Sequence, residues 1–485
     1  MTIRLYNTAS KKKEEFIPLR EGKAGIYVCG VTVYDHCHIG HARSFIVFDV
    51  LVKYFRARGL DVTYVRNFTD VDDKLIARAN ELGTESSVLA EKYIDSFHKD
   101  MDRLGVIKSD IEPRATEHVD DMVEMIKRLI EKGYAYVVDE DVFFSVEKLD
   151  DYGKLSGRRL DDMKAGSRIE VNEKKRHPMD FALWKGAKPG EPRWESPWSQ
   201  GRPGWHMECS VMSNRYLGST FDIHGGGKDL LFPHHENERA QSKAANESEF
   251  ARYWVHNGFL TVESEKMSKS LGNFITIRDA LEEYPPEVLR LFLLSKHYRS
   301  PLDFSKKEVL NFQSGLIRIY RTLKRIEDLI GEYKGARDVI ERGFLEGEQS
   351  NGLLRNFVEV MDDDLNSAGA IGLIFEKTKE LNRLMDDIAE KPDESLIKEV
   401  EDGRDAMIKA ATVLGLLRDR PDDFLAGVEK PVDIDEDEIE RMVRERTEAR
   451  ENKDWARADA IRDKLQGMGI ILEDKQGHTI WRRSF

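Results

Sequence analysis

Near the N-terminus, short apolar runs alternate with amphipathic segments. Residues 25–28 predict a β-strand, whereas from 41 to 55 the apolar residues recur every three or four positions, as on one face of a helix. Residues 61–68 predict a second strand, and a second helix begins after Thr69. Strands that alternate with helices are typical of a parallel sheet. The pattern therefore predicts a Rossmann-like α/β fold with a doubly wound sheet, in which ligands bind at the carboxyl ends of the strands.

Further along the chain, the pattern changes twice. Residues 116–200 combine a helical run, a strand-like run at 135–146 and a charged stretch, which predicts an insertion into the α/β fold. Apolar residues at helical spacing then predict long helices over 308–333, 353–387 and 395–417, which we expect to form an antiparallel bundle. The C-terminal residues predict a small mixed unit, with one helix and two strands joined by a turn.

Composition excludes several classes of protein. Hydrophobic residues make up 40% of the 485 positions and charged residues 34%, which is typical of a soluble globular chain. No apolar run approaches the roughly 18 residues of a membrane span, and the N-terminus lacks the apolar core of a signal peptide. We therefore expect a cytoplasmic protein with no membrane partner. The three cysteines, Cys29, Cys37 and Cys209, exclude a disulfide framework and indicate a reducing compartment.

Charge is unevenly distributed along the chain. The net charge of -14 argues, taken alone, against a nucleic acid partner. An acidic linker at 433–440 holds six carboxylates, whereas residues 441–485 carry eleven Lys and Arg against eight Asp and Glu. The C-terminal end is therefore a candidate surface for a polyanion.

Two short motifs bear on phosphate chemistry. The sequence HIGH occupies 38–41, where the first strand turns into the first helix, and KMSKS occupies 266–270. Backbone N–H groups and the dipole at a helix N-terminus attract phosphate. Either motif alone also fits a polar turn with surface histidines or a lysine-rich loop. The glycine run at 225–228 lacks the spacing of a Walker A loop, so we reject that interpretation.

In this order, HIGH and KMSKS resemble the signature pair of the class I aminoacyl-tRNA synthetase family. The resemblance implies that ATP binds together with Mg²⁺ and that His38, Gly40 and His41 contact its triphosphate. It further implies that Lys266 and Lys269 neutralise the charge that develops as pyrophosphate leaves.

Other segments narrow the resemblance to the cysteinyl-tRNA synthetase family over essentially the whole chain. They are CGVTVYD at 29–35, NFTDVDDK at 67–74, GWHMECS at 204–210 and HGGGKDLLFPHHENE at 224–238. That family holds one zinc ion per chain, and the positions matching its ligands are Cys29, Cys209, His234 and Glu238. Spacing alone does not join these four residues, because a helical pair such as His234 and Glu238 is more often a surface hydrogen bond. In the family, the substrate thiolate binds the same ion; Cys37 matches no ligand.

Further positions match family residues around the bound amino acid, namely Thr69, Trp205 and Asp229. Each position has a structural alternative. Thr69 or Asp70 can cap the helix that follows, Asp229 can cap another helix, and Trp205 can pack in the core. His206 and His224 are expected to be outer-shell donors to the metal ligands or polar walls of the pocket.

In the family, the terminal domain reads the tRNA anticodon. Single-stranded bases are recognised by stacking and by hydrogen bonds to their edges. Side chains with groups suited to this are those of Arg450, Trp455, Asp459, Asp474 and Trp481. Core packing is the alternative role for Trp455, as it is for Trp481.

The pattern and the resemblance together give the domain boundaries that we predict. They are the first half of the catalytic domain at 1–115, a connective insertion at 116–200, the second half with the zinc residues at 201–258, the KMSKS loop and connecting segment at 259–305, the helical bundle at 306–425, and the anticodon-binding domain at 433–485.

The resemblance implies a ligase that joins L-cysteine to tRNA(Cys) through a cysteinyl-adenylate made with ATP; we favour a monomer. Two alternatives are open. A ligase that joins cysteine to an amino sugar resembles the catalytic part but lacks an anticodon domain, so the long C-terminal region argues against it. A non-catalytic RNA-binding relative would not need intact HIGH, KMSKS and zinc residues.

Overall fold

The computed structural model describes residues 2–160, 174–267, 272–336, 340–348, 351–428, 436–452, 454–467, 470–475 and 478–483. The chain divides into two compact units. The larger unit contains Met1–Val309 and Lys334–Arg418, and the smaller unit contains Leu310–Tyr333 and Asp419–Phe485. Among the described residues, no helix combines the length and the apolar composition that a membrane crossing requires.

The described residues form both strands and helices. The strands are β1 (Arg4–Asn7), β2 (Lys12–Glu15), β3 (Lys23–Thr32), β4 (Asp61–Thr69), β5 (Ala135–Val138), β6 (Asp141–Phe144), β7 (Phe181–Gly186), β8 (Gly201–Pro203), β9 (Phe221–Gly227), β10 (Ala251–Asn257), β11 (Leu260–Val262), β12 (Glu265–Lys266), β13 (Leu302–Phe304), β14 (Ile470–Lys475) and β15 (His478–Arg483). The α-helices are α1 (Ile39–Ala57), α2 (Asp73–Leu82), α3 (Ser86–Arg103), α4 (Val119–Glu131), α5 (Trp205–Leu217), α6 (Glu236–Asn246), α7 (Ile277–Glu283), α8 (Pro286–Leu294), α9 (Lys306–Ile330), α10 (Gly352–Asp362), α11 (Ser367–Glu390), α12 (Glu394–Leu414), α13 (Pro421–Val428), α14 (Glu436–Glu451) and α15 (Trp455–Gly467).

The larger unit is built on a four-stranded parallel sheet with the strand order β10-β9-β3-β4. Helix α1 connects β3 to β4, and most of its residues are buried. The outer edge of β4 is covered, because Arg66 N donates to Ile111 O at 3.1 Å and Phe68 N donates to Pro113 O at 2.9 Å. The predicted α/β class with a parallel central sheet is confirmed.

A β-bulge interrupts the pairing of β3 with β4 between Val28 and Val31. Within it, Gly30 N donates to Asn67 Oδ1 at 2.9 Å. A Cβ atom at Gly30 would lie 1.5 Å from Asn67 O, so only glycine fits there. The bulge fixes the neighbouring Cys29 near the carboxyl end of β3.

The segment between β4 and α5, where we predict an insertion over 116–200, contains α4 and an antiparallel sheet in the order β5-β6-β7-β8, whose last strand extends past residue 200. The strand-like run at 135–146 is a hairpin rather than one strand, because Asp139 takes a φ of 52° and turns the chain between β5 and β6. Asp73, in the first turn of α2, joins the insertion to the α/β fold. Its carboxylate accepts a hydrogen bond from Lys185 Nζ at 2.7 Å and pairs with Arg202.

The prediction of one helix over 353–387 is wrong, because that segment forms α10 and α11 with a turn between them. Asp364 and Leu365 in the turn take positive φ values of 68° and 53°. The Asp364 carboxylate is buried and accepts hydrogen bonds from Tyr6 N and Tyr298 Oη, both at 2.7 Å. Because the helix is interrupted at this turn, the buried Asp364 carboxylate reaches hydrogen-bond donors on Tyr6 and Tyr298.

A buried ion cluster ties α1 to the helices that follow the sheet. Lys53 Nζ lies 3.0 Å from Asp49 Oδ2, and Arg290 of α8 pairs with the same carboxylate. Arg290 Nε also donates to Leu414 O, at the end of α12, at 2.6 Å. Buried charges are tolerated only when they are paired in this way.

In the smaller unit, α14, α15 and the antiparallel hairpin of β14 and β15 enclose their own core. Its buried members are Ile439, Met442, Leu465 and Ile470. Helix α14 begins at Glu436, so the prediction of a linker through residue 440 is wrong for its last five residues. Elsewhere in this unit, Tyr320 of α9 stacks on Phe424 of α13 with ring centroids 4.0 Å apart.

Candidate active site

The HIGH tetrapeptide forms the turn and first residues of α1. His38 is the N-cap, and its Nδ1 accepts hydrogen bonds from Gly40 N at 3.1 Å and His41 N at 3.3 Å. His41 Nδ1 in turn accepts from His38 N at 3.3 Å, and the two rings stack with centroids 3.7 Å apart. Two imidazoles thus take the role of a capping box. They stand at a helix N-terminus, a place that favours anions.

Four buried side chains converge elsewhere in the α/β fold: Cys29 of β3, Cys209 of α5, His234 from the turn before α6, and Glu238 of α6. One ligand atom from each lies within 4.8 Å of the others. Cys29 Sγ is 3.7 Å from Cys209 Sγ and 3.6 Å from Glu238 Oε1, and Cys209 Sγ is 3.7 Å from His234 Nε2. His234 Nε2 is 2.6 Å from Glu238 Oε1. This cluster could bind a metal ion.

The ionisable groups of this cluster shift one another's pKa values. Burial alone would raise the pKa of Glu238, but His234 and His224 hold that pKa well below its ordinary value. Burial alone would lower the pKa of His234, but Glu238 raises it to about 10. Burial raises the pKa of the Cys29 thiol well above its usual range. A metal ion bound here would replace the protons on these groups, as metal binding generally does.

Three more histidines lie next to the cluster and contact its members or one another. His224 Nε2 lies 2.5 Å from Glu238 Oε2, and His235 Nε2 lies 3.3 Å from Cys29 Sγ. His235 Nδ1 meets His256 Nε2 at 2.8 Å. Cys29, His224, His235 and Glu238 thereby form a second, overlapping group that could hold a metal ion.

Two histidines of this cluster, His235 and His256, are not among the predicted site residues. The pair at 234–235 was visible in the sequence, but α-helical spacing aligned His235 with residue 239. In the structure, 231–235 is a π-helical turn with Phe232 in an extended conformation, which α-helical spacing does not describe. Nothing in the sequence joined His256, on the edge strand β10, to this cluster.

The residues expected around the amino acid lie in two places. Trp205 is 38% exposed, and its ring stacks on His234 with centroids 4.0 Å apart. The buried Thr69 Oγ1 donates to Glu208 Oε2 at 2.5 Å. Asp229 is exposed, in the turn after β9. Trp205 and Thr69 thus contact the cluster or its immediate neighbours along α5.

The capping roles considered for these residues are wrong. The N-cap of α2 is Asp72, which accepts a hydrogen bond from Lys74 N at 2.8 Å, rather than Thr69 or Asp70. Asp70 instead accepts from Thr116 N and Oγ1. The helical turn after Asp229 is Leu231–His235, and its N-cap, Leu230, makes no side-chain capping hydrogen bond. Thr69 is therefore not a helix cap, and its hydroxyl donates instead to Glu208 of α5.

Histidines 206 and 224 both touch predicted metal ligands. His206 Nδ1 lies 2.8 Å from His234 Nδ1, and His224 contacts Glu238 as described. Glycine at position 226 lets the neighbouring His235 ring approach the sheet, because a Cβ atom there would lie 2.9 Å from His235 Cε1. Cys37 is buried beside the HIGH turn, and burial raises the pKa of its thiol to about 12.

The KMSKS segment lies partly outside the described residues. Lys266 is the last residue of β12, and Lys269 falls among the residues that are not described. The Met267 side chain lies beside the HIGH turn, because a Cβ atom at Gly40 would be 3.5 Å from Met267 Cε. The described start of the second motif is therefore adjacent to the first motif.

The predicted anticodon residues lie in the smaller unit. Trp455 is 59% exposed at the start of α15, and Asp459 pairs with Arg462 at 3.0 Å on an exposed face. Arg450 is exposed near the end of α14, and Asp474 lies in β14 opposite Thr479. Trp481 instead packs against the core of the unit.

Comparisons with known proteins agree along the whole chain. The family described as "tRNA synthetases class I (C) catalytic domain" matches residues 15–314, the DALR domain family 356–418, and the "Cysteinyl-tRNA ligase anticodon binding domain" family 436–482. A methionyl-tRNA synthetase from Mycobacterium tuberculosis, solved with methionyl-adenylate, superimposes with a TM-score of 0.62 at 16% identity, covering 83% of this chain and 93% of that chain. At that identity the likeness shows a shared fold.

Curated relatives are similar over their full length. The cysteine–tRNA ligase of Trichlorobacter lovleyi is 53% identical over 99% of this chain and 100% of its own length. The cysteine–tRNA ligase of Geobacter metallireducens is 54% identical with the same coverage of both chains. By sequence, by domain content and by fold, the chain belongs to the cysteine–tRNA ligase family of class I aminoacyl-tRNA synthetases.

Proposed function

We propose that this chain activates L-cysteine with ATP and transfers it to tRNA(Cys), with a zinc ion in the cluster of Cys29, Cys209, His234 and Glu238 selecting the amino acid. The observation that carries the proposal is the position of this buried cluster, between the carboxyl end of β3 and the stacked Trp205. Family membership supports the reaction, because the curated relatives are named cysteine–tRNA ligases.

The donor set supports zinc as the metal. With zinc–sulfur bonds of about 2.3 Å and zinc–nitrogen or zinc–oxygen bonds of about 2.0–2.1 Å, tetrahedral ligand atoms lie about 3.3–3.8 Å apart. Three of the separations, 3.7 Å for Cys29–Cys209, 3.6 Å for Cys29–Glu238 and 3.7 Å for Cys209–His234, match that range. His234 Nε2 and Glu238 Oε1 lie closer, at the 2.6 Å of a hydrogen bond. Two sulfurs favour a soft metal ion. The overlapping group of Cys29, His224, His235 and Glu238 holds only one sulfur, and both of its histidines are fully buried.

Zinc contributes selection rather than chemistry on the phosphate. A hydrophobic pocket separates near-isosteres by only roughly tenfold to a few hundredfold. When bound, zinc supplies a soft Lewis acid that prefers the thiolate of cysteine to the hydroxyl of serine. Trp205 closes one side of the cluster, and Thr69 with Glu208 provides a polar group beside Cys209. We assign these groups, with Asp229, to binding of the amino acid.

The HIGH turn is suited to the triphosphate of ATP. The cysteine carboxylate attacks the α-phosphate, pyrophosphate leaves, and a terminal ribose hydroxyl of tRNA then attacks the resulting mixed anhydride. Such transfers depend on positioning and on stabilising charge. His38, Gly40 and His41 present the N-terminus of α1 to the phosphates, with Mg²⁺ carried by the nucleotide. Lys266 and Lys269 neutralise the charge that develops on pyrophosphate.

The smaller unit is suited to reading the anticodon. The match of 436–482 to an anticodon-binding family supports this assignment. Trp455 offers an exposed ring for stacking on a base, and Arg450 offers an exposed cation. Asp459 and Asp474 complete the proposed surface as acceptors for base edges. The same match argues against a ligase for amino sugars, which has no need of such a unit.

Two assays test the proposal. The purified chain should exchange pyrophosphate into ATP when L-cysteine is present, and it should esterify tRNA(Cys) with cysteine. Exchange without charging would instead support the amino-sugar ligase. Absence of both activities in a zinc-loaded chain would contradict the proposal.

A further inference from the structure

Arg43 lies at the start of the second turn of α1 and is fully buried. Its Nη1 donates to Gly258 O at 3.0 Å and to Phe259 O at 2.6 Å, in the connection between β10 and β11. Its Nη2 donates to Tyr298 O at 3.4 Å and also to Ser300 O, in the segment between α8 and β13. One guanidinium thus bonds four backbone carbonyls and joins α1 to two loops.

The charge of Arg43 is not neutralised by a carboxylate among the residues that the structure describes. Two other arginines that are equally buried do have such partners: Arg66 pairs with Glu112, and Arg290 pairs with Asp49. Burial lowers the pKa of Arg43 to about 10, so the side chain stays protonated at neutral pH. Carbonyl dipoles satisfy its hydrogen bonds but carry no net charge. The first turns of α1 therefore hold a buried positive charge that lacks a counterion within the described part of the chain.

The two loops that Arg43 holds lie at the carboxyl edge of the parallel sheet. Gly258 directly follows β10, and a Cβ atom there would lie 2.5 Å from Ser300 O, so the loops meet backbone to backbone. Gly258 N also donates to Tyr298 O at 2.8 Å. Arg43 is five residues beyond the N-cap His38, which is about 7.5 Å along the helix axis. One side chain thus joins the HIGH end of α1 to the edge of the sheet where ligands bind.

We propose that Arg43 is a positioning residue for ATP binding: it holds the HIGH end of α1 against the carboxyl end of β10 and adds a fixed positive charge to the helix end that receives the triphosphate. This inference rests on the proposed function, since it concerns the same ATP site. Arg43 acts through α1 and through its charge, because its Nη atoms are already bonded to the two loops. A buried charge without a counterion is costly. A bound polyanion recovers part of that cost, which favours ATP over an uncharged nucleoside.

The first test compares the affinities of ATP and adenosine, measured by equilibrium dialysis with labelled ligands, in wild type and in Arg43→Met. The Kd for ATP should rise at least about tenfold, because a charge and its hydrogen bonds are lost. The Kd for adenosine and the zinc content should stay at wild-type values. The matched control is Arg66→Met, which removes an equally buried arginine whose charge is paired with Glu112, and should leave both Kd values unchanged. An unchanged Kd for ATP, or equal losses for ATP and adenosine, in Arg43→Met would overturn the inference.

The second test separates positioning from stability, and it applies also if Arg43→Met does not fold. Arg43→Lys keeps the charge but loses the planar fork that reaches both loops. In cysteine-dependent pyrophosphate exchange, its KM for ATP should rise about threefold, while kcat and the KM for cysteine stay at wild-type values. An unchanged KM for ATP, or a rise shared with cysteine, would overturn the inference.

Exchange by the wild-type chain is measured first. Its absence would refute the proposed function, whatever the affinities of the variants for ATP. Its presence, with an unchanged KM for ATP in Arg43→Lys, would refute only the role of Arg43.

Discussion

The sulfur atoms of Cys29 and Cys209 lie 3.7 Å apart although 180 positions separate them along the chain. Cys29 is fixed near the carboxyl end of β3 by the bulge at Gly30, and Cys209 is one turn into α5. Both thiols are buried and neither forms a disulfide, and their separation fits two sulfur ligands of one zinc ion with bonds of about 2.3 Å. The antiparallel sheet of β5 to β8 lies between them in sequence, so the two thiols meet only when β3 and α5 are packed together.

Cys209→Ser should lose zinc and cysteine affinity together. Zinc affinity falls because a hydroxyl is a poor ligand for a soft metal, and cysteine affinity falls with it. Metal content is measured by plasma mass spectrometry, and ATP affinity is measured by calorimetry. Cys37→Ala is the matched control, since Cys37 is buried beside the HIGH turn but outside the cluster. Loss of ATP affinity comparable to the loss of cysteine affinity would contradict the assignment.

Lys269→Ala should slow adenylate formation by at least about a hundredfold, which corresponds to about 2.7 kcal/mol. The expected change is in the rate rather than in cysteine binding, because the charge that the lysine neutralises develops in the transition state. Rapid-quench measurement of the single-turnover rate checks this. A wild-type rate combined with a raised KM for cysteine would show that the role is wrong.

Trp455→Ala should reduce charging of tRNA while leaving cysteine-dependent pyrophosphate exchange intact. Stacking of a base on an exposed ring is worth about 1–3 kcal/mol, so kcat/KM for tRNA should fall roughly fivefold to a hundredfold. The matched control is Trp481→Phe, because Trp481 packs against the core of the same unit. Equal loss of exchange and charging in Trp455→Ala would argue against a separate anticodon reader.

The Asp73 carboxylate predicts a pH-dependent attachment of the insertion. Burial alone would raise the pKa of Asp73, but Lys185 and Arg202 lower it to about 2. Because the folded pKa lies below the unfolded value of about 3.9, the stabilisation is present above that value and is lost as the pH falls towards 2. The Tm of wild type should exceed that of Asp73→Asn at pH 6, and the difference should shrink between pH 4 and 2. A difference that persists at pH 2 would contradict this account.

Much of the fold could be predicted from hydrophobic spacing. The bounds of β4 follow the predicted strand at 61–68 closely, and its residues from Tyr64 to Thr69 are all buried. The break between α10 and α11 could not be predicted, since the apolar period continues across it. There, Asp364 reaches donors on Tyr6 and Tyr298, contacts that are distant in sequence.

The residues of the candidate site could likewise be predicted only in part. Its first four members came from a resemblance, because nothing in their spacing joins Cys29 to Cys209 or either cysteine to α6. His235 and His256 were missed, since a π-helical turn redirects one and an edge strand carries the other. The capping role of Asp72 was assigned to its neighbours because adjacent polar residues offer equally good caps in sequence. The hydrophobic pattern within a segment thus predicts helices and strands. The site depends instead on contacts between segments that are distant in sequence.

The central claim is that a metal cluster, rather than the shape of the pocket, selects cysteine. The most direct measurement is the ratio of kcat/KM for cysteine to that for serine in pyrophosphate exchange, with zinc content determined on the same preparation. The account predicts one zinc ion per chain and a ratio of at least about 10⁴, beyond the range of a hydrophobic pocket. A chain without stoichiometric zinc, or one that activates serine within about a hundredfold of cysteine, would contradict it.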